Sequence, residues 1–438
     1  GALLTGVMAG PAAAADPAPC PQPPLSALVG AGTSGNPYLI SSAADLQEFK
    51  DKTSGTNYWA AGVYVELTTT IDMDGCEWSS AIGNPFEGNF DGKGFEITGL
   101  DIVLVGNDAG LFGETEGATI SNVGFDGAVT GDTNVGGLIG YAEDTQVMNV
   151  RASGNVIAQG TGQDDNAHTG GLIGYANDMT VMNARASGSV DGQDHDYVGG
   201  LLGYSNATSV TDSWAEGSVE GDDAVGGLIG EALSSSVSDS WASGDVTASD
   251  DDGGGLVGQI DNSTVTNSWA TGAVTGDQNV GGLIGETNET SRVTTSYATD
   301  PVSNTDNDAG GLVGDNDGEL STSFATGTVN GGDSVNDANF GGLVGINQGS
   351  GSISDSYATG NVVVVGVEAG GLVGENENSI VRSYSIGHVS ADGEAGGLVG
   401  ETDGGSTTSS YWDIQTSGQT ISAGGNDSST GGSGQTTE

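Results

Sequence analysis

Cations are what this chain has least of. Seven Lys and Arg stand against 59 Asp and Glu in 438 residues, a formal charge of −52. Such a chain cannot neutralise a phosphate backbone, which excludes ordinary nucleic-acid binding. Long apolar runs are missing too. The longest β-branched stretch is Val362 to Val365, far short of the ~20 residues a membrane span takes. The only histidines are His168, His195 and His388, each isolated. A His-Glu-x-x-His zinc site is therefore absent, and no Ser or Cys motif beside a His suggests a nucleophilic triad. By composition alone, with 80 glycines, the chain reads as a linker. The order in which residues recur overrules that.

What is present is a period. Gly-Gly-Leu-(Ile/Val/Leu)-Gly returns with its Leu at 138, 172, 201, 228, 256, 283, 312, 343, 372 and 398, preceded by the variant Ala109 to Gly113. A second landmark follows 12 to 14 residues later: Gly124, Arg151, Arg185, Trp214, Trp241, Trp269, Tyr297, Phe324, Tyr357, Tyr384 and Tyr411. An aliphatic residue sits four positions before every landmark but the last, where Thr407 precedes Tyr411, and Val sits five after it in the first ten copies. Units of this length cannot bury their apolar residues alone, so they predict a solenoid. The spacing has no helical period, is too short for propeller blades and lacks the leucine-rich-repeat signature. The reading is an all-β parallel β-helix of about eleven coils, right-handed by the crossover rule. At ~4.8 Å per coil that makes a rod of roughly 50 Å. Ser42-Ala43-Ala44-Asp45 is a capping-box pattern that predicts a short N-terminal helix over 42–52. Glycine is expected at corners that need positive φ or close backbone approach.

These residues carry a resemblance. The Gly-Gly-Leu-(Ile/Val)-Gly array, with Ser-(Trp/Tyr)-Ala-(Thr/Ser)-Gly-x-Val, resembles the GLUG-motif repeats of bacterial and archaeal surface proteins. Those repeats occur in adhesins and in the non-catalytic region of IgA-specific metallopeptidases. Gly35 to Ile40 with Ala43 to Leu46, and Phe86 to Gly94, resemble the family's entry, and Ser410 to Asp413 with Thr416 to Gln419 its exit. The Asp-rich, Lys-poor balance is similar to that of proteins from salt-loving archaea. The resemblance implies a secreted or cell-surface protein whose partners would be glycans or proteins of other cells.

The domain reading follows. Residues 1–15 read as a signal-peptide remnant ending in Ala13-x-Ala15, with a short buried helix as the alternative. Residues 16–34 form a Pro/Gly-rich linker, 35–108 the cap and first coils, 109–413 the repeat solenoid, and 414–438 a Gly/Ser/Thr-rich tail that looks truncated. Length variation falls after the Val strand, in 157–169, 330–340 and 191–198. Insertions on one side of a solenoid usually mark its interacting edge.

Candidate sites are few. Cys20 and Cys76 form the only cysteine pair and could be bridged in an exported protein. Asp306, Asp308, Asp315 and Asp317 offer hard oxygens to calcium, though without EF-hand spacing; solvated acidic turns explain them as well. No other cofactor is expected. Trp214, Trp241, Trp269, Tyr297, Phe324, Tyr357, Tyr384 and Tyr411 should stack on successive coils, as a structural ladder or a sugar platform. Sequence parity leaves open whether they face in or out. Asn206, Asn262, Asn288 and Asn426 lie in glycosylation sequons. Paired acids such as Asp250 to Asp252, Asp222 with Asp223, and Asp164 with Asp165 would suit a glycosidase. Among 59 acids, chance pairs are expected. The reading is therefore a non-catalytic stalk or adhesion module, with a glycan-binding or polysaccharide-degrading β-helix as the alternative.

Overall fold

The computed structural model describes residues 19–159, 167–331, 338–365, 368–424 and 431–436. Residues 1–15, Asn426 and most of the 157–169 and 330–340 insertions lie outside the described residues. The chain winds as an all-β parallel solenoid of about 13 turns. Three faces make up each turn. An 11-stranded Leu face starts right after each repeat Leu, a 35-stranded long face follows, and a 10-stranded Gly face leads into the next Gly-Gly-Leu. One coil runs Ile229–Leu233 on the Leu face, then Ser236–Ser238, Trp241–Ala242 and Val246–Ala248 on the long face. It closes through Gly253–Gly254 on the Gly face.

The turn count exceeds the expected eleven because the segment before the first repeat also winds. Tyr38–Ile40 pairs in parallel with Tyr64–Leu67, which pairs with Asn89–Asp91, which pairs with Thr119–Ser121. These turns lack the Leu signature because aromatic rings fill them. Phe49, Tyr58, Phe86, Phe90 and Phe112 are fully buried and contact one another at 5.1–6.2 Å.

Helix α1 (Ala43–Asp51) supplies Phe49 to this plug and covers the open end, where bare sheet edges would otherwise invite pairing. The Ser42 hydroxyl accepts from Asp45 N, as the capping pattern requires. The Asp45 carboxylate accepts in return from Ser41 N at 3.0 Å rather than from the cap residue itself. Helix α1 ends at Lys52 in the left-handed region. A disulfide joins Cys20 to Cys76 and so ties the entering segment to the first turns. At the far end, α2 (Ile414–Ser417) is capped by Asp413. A final strand, Gly431–Gln435, pairs with Ser406–Asp413.

All eleven repeat leucines, from Leu111 to Leu398, are 0% exposed. They stack in one interior column, Leu228 N donating to Leu256 O at 2.8 Å and Leu256 N to Leu283 O at 2.8 Å. Beside them runs a buried hydroxyl column in which Ser213, Ser240, Ser268, Ser296, Ser323, Ser356 and Ser383 each donate N–H to the next Ser Oγ at 3.1–3.3 Å. Each of these hydroxyls in turn donates to the carbonyl two residues back, as Ser240 does to Ser238 O at 2.8 Å. Every polar group at this bend is thus satisfied inside the coil. Further along, Asn316, Asn347 and Asn376 form a fully buried amide column, at 2.8 and 2.7 Å.

Glycine serves both expected purposes, but at different places: Gly75, Gly94, Gly117 and Gly349, among others, take positive φ. Positive φ at the long-face corners is carried by Asp212, Asp239, Asn267, Thr295, Thr322, Asp355, Arg382 and Ser409. Short polar side chains tolerate that region best. The motif glycines serve close approach instead. A Cβ on Gly227 would meet Gly255 O at 2.1 Å and Ala242 Cβ at 2.9 Å. That contact pinches the coil into two apolar compartments, a Leu/Ile core and a smaller Val core around Val219, Val225 and Val246.

Candidate functional site

The aromatic column lies on the outside of the long face. Trp214 pairs in register with Trp241, Trp241 with Trp269, and so on to Tyr411. Alternation sends the neighbouring Ala215, Ala242, Ala270, Ala298 and Ala325 inward, where they are buried. From Trp214 to Tyr384 the rings stack nearly parallel, with centroids 4.9–6.3 Å apart. Their faces are consequently covered by each other and only their edges meet solvent. A sugar platform needs open ring faces, whereas a ladder holding coil to coil needs this arrangement. Arg151 and Arg185 continue the column toward the N-terminus, where they pair with Glu96 and Glu216.

A second surface runs along the corner where the Gly and Leu faces meet. Here Gly230 packs against the preceding coil so closely that a Cβ would fall 2.7 Å from Val198 N, in the Gly-face strand Tyr197–Gly199. The corner is therefore concave, and side chains pointing away from both cores converge on one seam. The Leu face contributes Glu114, Tyr141, Tyr175, Tyr204, Glu231, Gln259, Glu286, Asp315, Ile346, Glu375 and Glu401, in register. The Gly face contributes His168, Tyr197, Asp252, Asn279, Asp308 and Asn339 among others.

The seam changes character along the rod. In early coils Tyr141, Tyr175 and Tyr204 stack at 4.9 and 5.1 Å. His168 lies 5.0 Å from Tyr175, stacks on Tyr197 at 5.3 Å, and has Nδ1 2.8 Å from Asn134 Oδ1. Burial pushes this imidazole down to about 4, so it is neutral at pH 7. In later coils the seam is acidic. Burial, then the Asp261 carboxylate, push Glu231 up to about 7. Burial raises Asp308 to about 6 against the Asn339 bonds, and Asp315 to about 7 despite Gln348. Glu375 reaches about 7 through burial and then Glu401. Carboxylates are crowded here with no Lys or Arg to neutralise them, since the cations sit elsewhere in ion pairs or, for Lys52, over the Trp59 ring.

The four calcium candidates do not gather in one loop. Asp308 and Asp315 face the seam, Asp306 is exposed, and Asp317 accepts from Ser350 N in a turn. A different trio converges, with ligand oxygens of Glu375, Glu377 and Asp403 within 4.8 Å of one another, two of the three residues exposed. Of the sequons, Asn206 Nδ2 donates to Asn177 Oδ1 at 2.8 Å and Asn262 Nδ2 to Ser234 Oγ at 3.0 Å. Asn288 is part-exposed. The acid pairs Asp222/Asp223 and Asp250/Asp251 lie at turns, and burial, then neighbouring carboxylates, raise Asp222, Asp223 and Asp251. Asp164 and Asp165 lie outside the described residues.

The seam was missed at the sequence level. Its signal was present three residues after each repeat Leu, where an acid stands in six copies and Tyr in three.

The family model of the GLUG motif matches residues 131–157 and 336–363. Two stretches of the repeat array thus match the GLUG motif. Halomucin of Haloquadratum walsbyi is 35% identical over 160 residues, 27% of this chain and 2% of that protein. An Evansella cellulosilytica protein assigned as a Gly-rich membrane protein is 39% identical over 88 residues, 19% of this chain and 10% of the other. The chain thus spans a small part of the curated relatives it matches. Among solved structures, a Bacteroides ovatus protein assigned as an immunoglobulin A1 protease aligns with 76% of this chain and 78% of its own, at 19% identity and TM-score 0.33. No helix among the described residues is long and apolar enough to cross a membrane.

Proposed function

We propose that this GLUG solenoid is a non-catalytic rod of a secreted or cell-surface protein, a stalk that also serves adhesion. The observation that carries the reading is the stacked aromatic ladder, whose ring faces are spent on joining coil to coil. Adhesion would then use the edge bearing the long insertions, with surface glycans or proteins of other cells as partners. A polysaccharide-degrading role would need two carboxyl groups about 5–5.5 Å or about 6.5–9.5 Å apart with substrate between them. Among the described residues of the seam, no Lys or Arg stands by the acids to neutralise an acidic substrate.

Two measurements test the proposal. Incubation with neutral and acidic polysaccharides should release neither reducing ends nor unsaturated products; release that disappears in Asp252→Asn would overturn it. Beads coated with the chain should adhere to cell surfaces less after residues 158–167 and 330–340 are trimmed. Unchanged adhesion would move the contact to another surface.

A further inference from the structure

Stacking covers the ring faces inside the aromatic column, but a stack has ends. Trp214 is its first ring. It lies against Trp241 on one side, at 5.8 Å, and in register with Arg185 rather than a ring on the other. The two guanidiniums that continue the column are drawn apart along the rod. Arg151 bends toward the N-terminus over Gly124, the one landmark position with no side chain, and its Nε donates to Glu96 Oε1 at 2.9 Å. The fit is close, since a Cβ on Gly124 would fall 2.9 Å from that Nε. Arg185 reaches the opposite way, through Nη2 to Glu216, two residues beyond Trp214. Where they part, a cleft of about 320 Å³ is lined by Asn149, Val150, Arg151, Asn183, Arg185 and Trp214. That lies at the low end for small-ligand sites, about 300–1,000 Å³.

The cleft holds unspent hydrogen-bonding capacity. A guanidinium has five N–H donors. Arg185 gives one to Glu216, and its Nε is buried without a partner among the described residues. Such a donor is costly to leave unmet. Arg151 gives two N–H groups to a single Glu96 oxygen. On the rim, Asn183 Nδ2 donates to Asn149 Oδ1 at 2.8 Å, and Asn149 Nδ2 to Asn122 Oδ1 at 2.9 Å. This run of amides stops at Asn183, because the next corner residue is Asp212, whose carboxylate has no N–H to give. Asn183 Oδ1 is left as an acceptor at the rim.

We infer that this cleft binds a carboxylate-bearing sugar, a pyranose ring of the uronate type. The ring would lie against the open face of Trp214, its carboxylate accepting from Arg185 and Arg151 and a hydroxyl donating to Asn183 Oδ1. An aromatic wall with a few placed polar groups is the usual make-up of such a site. Guanidinium and carboxylate match in planar, bidentate geometry. One negative charge also suits a rod of −52 better than a doubly charged phosphate would. Each arginine keeps its glutamate, and the ligand takes the N–H groups that the ion pairs leave over. A neutral sugar could stack on the ring but would bring the arginines no charged acceptor. The inference goes beyond adhesion through the insertions, since it concerns only the long face.

Titration of the folded chain in molar salt with methyl β-glucuronide and methyl β-glucoside, followed by saturation-transfer NMR, tests this. The glucuronide should bind about tenfold or more tightly than the glucoside, as a charge-assisted pair requires. Arg185→Gln and Arg151→Gln should each remove that preference. Their side chains are 41% and 46% exposed, so neither change should unfold the rod. Trp214→Ala should weaken both sugars together. Arg382→Gln, which breaks an ion pair in a later coil, should change neither affinity. Equal affinity for the two sugars, no transfer to the glucuronide, a preference that survives both arginine variants, or unaltered binding in Trp214→Ala overturns the site.

Discussion

At the residue scale, two columns do different jobs, and their energetics separate them. Leu256 is wholly enclosed. Leu256→Ala should cost about 2–5 kcal/mol, the range for a buried large-to-small change, and Leu228→Asp should unfold the neighbouring turns because an unpaired charge would be buried. Trp241 instead lies on the surface between two rings, at 5.8 and 6.3 Å. Each stacked pair is worth about 0.5–1.5 kcal/mol beyond area, so Trp241→Ala should cost roughly 1–3 kcal/mol and abolish the coupled tryptophan signal in near-ultraviolet circular dichroism. Thermal melts of the two alanine variants, with that spectrum, check the contrast. A Trp241→Ala protein as stable as wild type but poorer at binding glycans would instead revive the sugar-platform reading.

At the scale of the element, the seam dominates. Glu231, Asp315 and Glu375 rise to about 7 and Asp308 to about 6, mainly through burial. Folded-state values above the unfolded ones mean that the folded rod holds more protons. Its stability is therefore greatest below about pH 4 as far as these groups go, and is lost as pH rises toward 7. At low salt the melting temperature should fall from pH 4.5 to 7.5, and Glu231→Gln with Asp315→Asn should flatten the fall. A melting point that rises across this range would contradict the crowding. The sequence made the Leu column and the aromatic register legible because each recurs at a fixed offset within one strand. Capping residues likewise announced α1. The seam was not legible because it joins side chains of two faces that meet only where Gly230 and its equivalents let backbones touch. The first turns within 35–108 were read but not counted among the eleven, because Phe49, Phe86 and Phe90 fill them without any repeat spacing.

For the whole molecule, charge against burial is the balance that matters. Each coil encloses a modest set, such as Leu228, Ile229, Ala232, Val237, Ala242 and Val246. Against this stands a charge of −52 on a rod whose cations are already engaged by acids or, for Lys52, by the Trp59 ring. No spare positive charge remains to relieve repulsion between coils, which works against the compact state. Screening reaches ~10 Å at 0.1 M salt and ~3 Å at 1 M. The spacing between coils is about 4.8 Å, so only molar salt screens one coil from the next. Excluded salts such as sulfate also strengthen apolar burial. The rod is therefore expected to fold fully only in molar KCl or NaCl, with calcium able to substitute where carboxylates crowd. Far-ultraviolet circular dichroism and melting temperature from 0.1 to 3 M salt, with and without millimolar calcium, measure this. A β-rich spectrum with an unchanged melting point at 0.1 M salt plus chelator would show that the two apolar compartments suffice against the full charge.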